Sequence, residues 1–159
     1  MSPKLTLAVQ YGATAPELPR WRLRRWVQQA IDAVAPQLDP AIRLIALTLR
    51  LVDAREGRRL NQAFRQRDYA TNVLTFEYGT DPEGAASGDI VLCVPVLRRE
   101  AREQKKGLLQ HGAHLTVHGV LHALGYDHID PLQAQAMESL ETRILARMGI
   151  SDPYISQSS

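Results

Sequence analysis

The chain has 159 residues, of which 45% are apolar and 23% are charged, a composition typical of a globular domain rather than a disordered segment. No apolar run approaches the roughly 20 residues that a membrane-spanning helix needs, and the first residues do not resemble a secretory signal. The net charge of +2 is too small to identify a class of partner.

The pattern of apolar residues predicts the secondary structure. Strands are predicted where apolar and other residues alternate or where branched apolar residues follow one another, and helices where apolar residues recur every three or four positions. Asp53 followed by Glu56 resembles a capping box at the start of a helix. In chain order, the predicted elements are a strand at 5–10, a helix at 20–35, a strand at 42–52, a helix from 53 to about 65, a strand at 72–78, a turn-rich loop at 79–88, a strand at 89–94, and helices from 95 to about 106, from about 108 to 124 and from 130 to 149.

Strands and helices do not alternate strictly in this order, which predicts an α+β fold with a small mixed sheet of about four strands packed against helices. No repeat or long linker divides the sequence, so residues 1–159 are expected to form one domain. The single cysteine, Cys93, lies in an apolar run where a buried structural thiol is expected, and a reducing cytoplasm fits this usage.

Basic residues cluster in three segments, 20–26, 55–67 and 98–106. Such runs commonly form the solvated faces of helices. They also suit a surface that holds a phosphate backbone. Charge alone leaves both interpretations open.

Three of the five histidines fall within eleven residues, His118 to His128. His118 and His122 are four residues apart, so a helix places them on one face. Gly125 then permits a turn that brings His128 back towards them. Three neutral nitrogen ligands with an open coordination position are typical of a catalytic metal site, and zinc is favoured among the transition metals.

The other two histidines are His111 and His114. A lone helical histidine is usually a hydrogen-bonded residue without a ligand role, so His111 is expected to be solvated. His114 lies one turn before His118, which leaves a supporting or substrate-contacting role open.

The same histidine spacing occurs in zinc proteases, where a glutamate beside the first histidine acts as the general base. Here that position is Gly119, which cannot accept a proton. The metal scaffold therefore favours a hydrolase, and the missing carboxylate argues against a protease.

With this histidine motif, the sequence resembles the YbeY family of bacterial single-strand-specific endoribonucleases. The family's extended histidine motif is matched by His118, Gly119, Leu121, His122, Gly125, Tyr126, Asp127 and His128. Two further stretches, 60–76 and 88–93, are similar to family segments, and the resemblance runs from about residue 44 to residue 154. Ala70, Thr75 and Glu77 depart from the common pattern without removing a candidate ligand.

The resemblance implies a zinc-dependent endoribonuclease that matures ribosomal RNA, including the 3′ end of 16S rRNA, and takes part in ribosome quality control. It implies that His118, His122 and His128 bind one Zn²⁺ and that Arg65 is functionally important. The implied partners are single-stranded precursor rRNA and the ribosome or proteins of its small subunit, in the cytoplasm and without a membrane.

Several residues near these positions have two interpretations. Arg65 either contacts a phosphate, which a guanidinium can grip with two donors, or forms a salt bridge with Asp68. Asp127 either orients a histidine ligand or is a turn residue. Asn72 either supports the loop near the site or caps a turn.

The sequence leaves two functions open besides that of a nuclease. One is a ribosome-assembly factor that uses the metal structurally and only binds RNA. The other is a metalloprotease-like hydrolase, disfavoured by Gly119.

Overall fold

Four strands form one mixed sheet in the computed structural model of the chain, which describes residues 2–154. They are β1 (Lys4–Tyr11), β2 (Leu44–Val52), β3 (Val73–Thr80) and β4 (Ala85–Cys93). The order across the sheet is β1-β2-β4-β3, in which β1, β2 and β4 are parallel and β3 runs antiparallel to β4. The predicted α+β class with a small mixed sheet is confirmed.

The helices begin and end close to the predicted positions. They are α1 (Arg20–Val34), α2 (Ala54–Arg65), α3 (Val94–Glu103), α4 (Leu108–Ala123) and α5 (Pro131–Arg147), and a 3₁₀ turn at Ala35–Gln37 follows α1. Asp53 and Asp130 cap α2 and α5, because their side chains accept hydrogen bonds from the backbone of Glu56 and Gln133. Within residues 2–154, no helix has both the length and the apolar character needed to cross a bilayer.

The predicted capping box at α2 is half formed. Asp53 Oδ1 accepts from the Glu56 backbone nitrogen at 2.8 Å. The Glu56 side chain does not return the bond but pairs with Arg50 on β2, at 2.6 and 3.0 Å. A bidentate ion pair with a neighbouring strand replaces the local contact.

The prediction of a loop over 79–88 is wrong for most of that segment. β3 continues to Thr80 and β4 begins at Ala85, so only residues 81–84 form the turn. Small residues in 85–88 have weak intrinsic strand preference, but they pair with β2 on one side and β3 on the other, and this tertiary pairing decides the outcome. Gly84 makes the turn with a φ of +91°, and a Cβ there would meet the Ala41 carbonyl oxygen at 2.4 Å.

The main core lies between the sheet and helices α1, α4 and α5. Helix α4 lies unusually close to the sheet, since a Cβ on Gly119 would be 2.7 Å from Ile90 Cγ2 and one on Gly88 would be 3.1 Å from Ala123 Cβ. Cys93 belongs to a smaller cluster near α2, is 1% exposed and has a pKa raised by burial, so the prediction of a buried thiol is confirmed.

Candidate metal centre

Three imidazole rings converge at the C-terminal end of α4. The ring centroids of His118 and His122 are 4.5 Å apart, those of His122 and His128 4.8 Å, and those of His118 and His128 5.7 Å. The turn that returns His128 depends on Gly125, whose φ of +99° strains any other residue. Local spacing alone therefore brings these three side chains together.

Asp127 lies within the same cluster. Candidate ligand atoms of His122, Asp127 and His128 all lie within 4.8 Å of one another. Asp127 Oδ1 accepts a hydrogen bond from the His128 backbone nitrogen at 2.7 Å and lies 3.7 Å from His128 Nδ1. The carboxylate thus shapes the turn and also stands close enough to the rings to contact a bound ion.

The His118 ring is oriented by Glu141, a residue of α5 that the sequence analysis did not single out. His118 Nδ1 lies 2.5 Å from Glu141 Oε1, and Glu141 is fully buried. Burial raises the pKa of Glu141, but hydrogen bonds from His114, His118 and Tyr154 outweigh it and hold that pKa at about 2. The carboxylate is therefore ionised, and the His118 proton is held on Nδ1.

A signal for Glu141 does exist in the sequence. The buried residues of α5 recur at helical spacing, and Glu141 stands among them: Met137, Leu140, Glu141, Ile144 and Leu145. A carboxylate inside an apolar stripe needs partners, because an unpaired buried charge is costly. In the fold, those partners are His118, His114 and Tyr154.

His114 and His111 lie on the preceding turns of α4. His114 Nε2 lies 3.1 Å from the Tyr154 hydroxyl and 3.4 Å from Glu141 Oε2, so it contacts the carboxylate that holds His118. The prediction that His111 is solvated is wrong. His111 is 3% exposed and its Nε2 lies 2.9 Å from Glu100 Oε1, while its Nδ1 is buried without a hydrogen-bond partner among the described residues.

Asn72 belongs to the His111 network rather than to the three-ring cluster. Its side-chain amide donates to Glu100 at 3.0 Å, and its side-chain oxygen accepts from the backbone of Val73 at 2.7 Å. Asn72 therefore fixes the start of β3 against α3.

Arg65 lies at the end of α2, against the strand on which α4 packs. Its Nη2 donates to the Thr75 carbonyl at 2.8 Å, and its guanidinium carbon lies 5.0 Å from the centre of the Phe76 ring. The Thr75 side chain faces α4, since its Cγ2 is 3.5 Å from where a Cβ on Gly119 would stand. Arg65 and the histidine cluster are thus linked through β3.

The alternative of a salt bridge between Arg65 and Asp68 is wrong. Asp68 accepts instead from Arg58, at 2.6 and 2.9 Å. Within residues 2–154, Arg65 forms no ion pair, so its positive charge is available to a ligand.

The donor set fits a transition-metal ion. Burial, followed by the neighbouring His118 and His128, lowers the pKa of His122, which favours the neutral form that binds metals. The side chain of His128 is 56% exposed and that of His118 is 21% exposed, so the cluster opens to solvent. Imidazole nitrogens open to solvent suit a metal that keeps a position for water or substrate.

Comparison with known proteins identifies the family. A family model described as Endoribonuclease YbeY matches residues 9–149. Proteins named Endoribonuclease YbeY are 64% identical in Bordetella pertussis, over 98% of this chain and 99% of that protein, and 49% identical in Thiobacillus denitrificans, over 97% and 99%. A solution structure from Thermotoga maritima has a TM-score of 0.58 at 22% identity, covering 94% of this chain and 99% of that one, and supports the fold alone. The chain therefore belongs to the endoribonuclease YbeY family.

Proposed function

We propose that this chain is a zinc-dependent endoribonuclease that cleaves single-stranded RNA during ribosomal RNA maturation, at the 3′ end of 16S rRNA, and in ribosome quality control. The observation that carries the proposal is the convergence of three histidine rings in a family of endoribonucleases. Across the adjacent strand lies Arg65, which forms no ion pair within residues 2–154. We assign the reaction to the cytoplasm, where precursor rRNA is made, with the ribosome or its small-subunit proteins as partners.

His118, His122 and His128 would hold the zinc ion. When bound, zinc supplies a Lewis acid for a phosphate oxygen and lowers the pKa of a water towards about 7. His118 offers Nε2, because Nδ1 is engaged by Glu141. Asp127 holds the turn that presents His128.

Arg65 is the residue best placed to bind the scissile phosphate. Its carbonyl contact fixes the guanidinium while leaving further N–H donors free to pair with phosphate oxygens. Positive charge at that point offsets the negative charge that develops during phosphodiester cleavage.

Exposed aromatic residues beside Arg65 favour an unpaired strand. Phe64 and Tyr78 are 56% and 61% exposed and line a groove with Phe76. Unpaired bases can stack on such rings, whereas the bases of a duplex are already stacked. Trp26, by contrast, is buried in the core and is not available for stacking.

The basic segments contribute unequally to RNA binding. Arg58, Arg98 and Arg99 pair with Asp68, Glu17 and Glu103. Within the described part of the chain, Arg55, Arg59 and Arg67 are exposed and form no ion pair. Exposed arginines without an ion pair within residues 2–154 also lie in the other two segments, among them Arg24 and Arg102. We assign phosphate-backbone contact chiefly to α2 and the residues after it because α2 ends at Arg65.

The two alternative functions, an assembly factor with a structural metal and a metalloprotease, fit particular contacts less well. A purely structural metal would be enclosed by protein ligands, whereas His128 is largely exposed. The protease needs a glutamate at position 119, where even a Cβ would meet Ile90 at 2.7 Å.

The test is cleavage of a single-stranded precursor rRNA fragment and a matched duplex by the wild type, His122→Ala, Arg65→Ala and the control Arg147→Ala, which removes an exposed arginine in the last turn of α5, outside the three basic segments. We expect zinc-dependent cleavage of the single strand alone, lost in the first two variants and kept in the control. Equal cleavage by all four proteins would contradict the proposal. Unfolding of His122→Ala in step with metal loss would favour the assembly factor, and chelator-sensitive peptide cleavage would favour the protease.

A further inference from the structure

Glu141 is a fully buried carboxylate that the proposed mechanism does not use directly. Its helix neighbours on the buried face are apolar, so ionisation there is tolerated only if the charge is fully hydrogen bonded. A leucine at the same position would pack without that cost. The presence of a carboxylate at this buried position therefore points to a task that requires its oxygens.

The two oxygens of Glu141 have different partners. Oε1 lies 2.5 Å from His118 Nδ1. Oε2 accepts from the Tyr154 hydroxyl and lies 3.4 Å from His114 Nε2. The 2.5 Å distance between Glu141 Oε1 and His118 Nδ1 fits a hydrogen bond donated by Nδ1–H, and that tautomer leaves the lone pair on Nε2.

The third member of this set comes from the last residues that the structure describes. Tyr154 reaches Glu141 because Asp152 shapes the chain before it: Asp152 Oδ1 accepts from the Tyr154 backbone nitrogen at 2.8 Å and lies 3.3 Å from the Thr142 hydroxyl. Lys106 Nζ also lies 3.5 Å from the Pro153 carbonyl. The segment is thus tied to both α5 and the residues before α4.

We propose that Glu141 and Tyr154 are positioning residues of the metal centre: Glu141 fixes the tautomer and direction of His118, and Tyr154 holds the second carboxylate oxygen so that Glu141 cannot rotate away. This inference rests on the proposed role of His118 as a zinc ligand. Outer contacts of this kind raise the basicity of a histidine ligand and commonly account for about 10- to 100-fold in metal affinity. The segment around residues 152–154 is then part of the metal centre although it lies more than twenty residues beyond the histidine motif.

The chain offers a matched control in Glu100. This carboxylate also contacts a histidine of α4, since Glu100 Oε1 lies 2.9 Å from His111 Nε2. His111 is not one of the three converging rings, so Glu100→Gln removes the same negative charge from a histidine contact without touching the three-ring cluster. A role of such pairs in stability alone predicts similar behaviour for Glu100→Gln and Glu141→Gln.

The experiment uses the full chain as wild type, Glu141→Gln, Tyr154→Phe and Glu100→Gln. Zinc affinity is measured by competition with a chromophoric chelator, the visible spectrum of the Co²⁺-loaded protein reports the ligand field, and thermal unfolding of the metal-free protein reports stability. We expect Glu141→Gln to weaken zinc binding by about 10- to 100-fold and to alter the cobalt spectrum, and Tyr154→Phe to weaken binding by up to about tenfold. Glu100→Gln should keep the wild-type affinity and spectrum.

Wild-type zinc affinity in both Glu141→Gln and Tyr154→Phe would overturn the inference. So would an equal loss of affinity in Glu100→Gln, because affinity would then follow general stability. If Glu141→Gln does not fold, Tyr154→Phe decides, and an unchanged affinity in that variant overturns the inference. A wild type that binds no zinc would instead overturn the proposed function on which the inference rests.

Discussion

Two of the histidine–carboxylate pairs on helix α4 have opposite geometry. At its C-terminal end, Glu141 takes Nδ1 of His118, and the His118 ring lies 4.5 Å from that of His122. Two turns earlier, Glu100 takes Nε2 of His111, and Nδ1 of His111 is left buried without a partner among residues 2–154. The Glu141–His118 pair thus lies in the candidate site, whereas the Glu100–His111 pair lies in the interior, although both consist of a glutamate and a histidine.

This contrast indicates that the surroundings of a histidine's second ring nitrogen, rather than its pairing with a carboxylate, determine whether it can bind a ligand. The Glu100–His111 pair joins α3 to α4, and Asn72 extends it to β3. Its free ring nitrogen faces the interior. The Glu141–His118 pair joins α5 to α4, but its second ring nitrogen belongs to a cluster that opens to solvent. Only the second arrangement can bind a ligand and act on a substrate.

Alanine substitutions at the two histidines provide the sharpest contrast. His118→Ala should lower RNA cleavage by more than the roughly 100-fold that loss of an outer contact costs, because it removes a proposed zinc ligand. His111→Ala should instead lower the free energy of unfolding by about 2–4 kcal/mol, since it opens a cavity and leaves Glu100 without its partner. Cleavage assays and denaturant unfolding of both variants check this. An equal loss of cleavage per folded molecule in both variants would contradict the difference in role between His118 and His111.

Arg65→Ala should lower cleavage by about 10²-fold, because the site loses a preorganised donor to the phosphate. Zinc affinity and unfolding free energy should stay close to those of the wild type, since Arg65 is exposed and forms no ion pair within the described residues. Kinetics on single-stranded RNA, with Arg147→Ala on α5 as the control, measure the effect. A parallel loss of zinc would mean that Arg65 acts through the histidines.

The two buried glycines of α4 test how the helix positions the histidines. Gly119→Ala should destabilise the fold by about 1–3 kcal/mol, because the new Cβ would lie 2.7 Å from Ile90 Cγ2. Gly112→Ala should be neutral or stabilising by up to about 1 kcal/mol, because its Cβ would meet Trp26 and Leu18 at ordinary distances of 3.5–3.6 Å and alanine favours a helix. Similar unfolding midpoints for both variants would contradict this packing.

The smallest expected effect concerns the pH dependence of stability. Burial lowers the pKa of His111 below its ordinary value of 6.5, although Glu100 opposes this. The unfolded chain therefore binds the proton more readily, so this contribution to stability is present above about pH 6.5 and is lost as the pH falls below it. His111→Gln should flatten the stability profile between about pH 6.5 and 5, by less than about 1.4 kcal/mol per pH unit. An unchanged slope in metal-free protein would contradict the assignment.

Local patterns predicted much of this molecule. The four strands and five helices of residues 2–154 followed from apolar spacing and caps. The matches to Endoribonuclease YbeY confirm the predicted family and its class of enzyme. The convergence of His118, His122 and His128 depends on helical spacing and one glycine turn, which are local features. Their role as zinc ligands stays a prediction.

The remaining features depend on contacts between distant parts of the chain. Glu141 lies 23 residues from His118, and only the packing of α5 on α4 joins them. The sequence left open a salt bridge between Arg65 and Asp68, but Asp68 pairs with Arg58, ten residues earlier in the chain. The early start of β4 likewise depends on pairing with two neighbouring strands. Periodicity along one segment carries no information about such partners.

The most direct test of the central claim is to measure the zinc content and the RNA cleavage of the same preparation while zinc is removed by a chelator and then restored. The account predicts that cleavage of single-stranded RNA falls and recovers with zinc in the wild type, and that His122→Ala neither retains zinc nor recovers cleavage. Undiminished cleavage by zinc-free wild-type protein would contradict it.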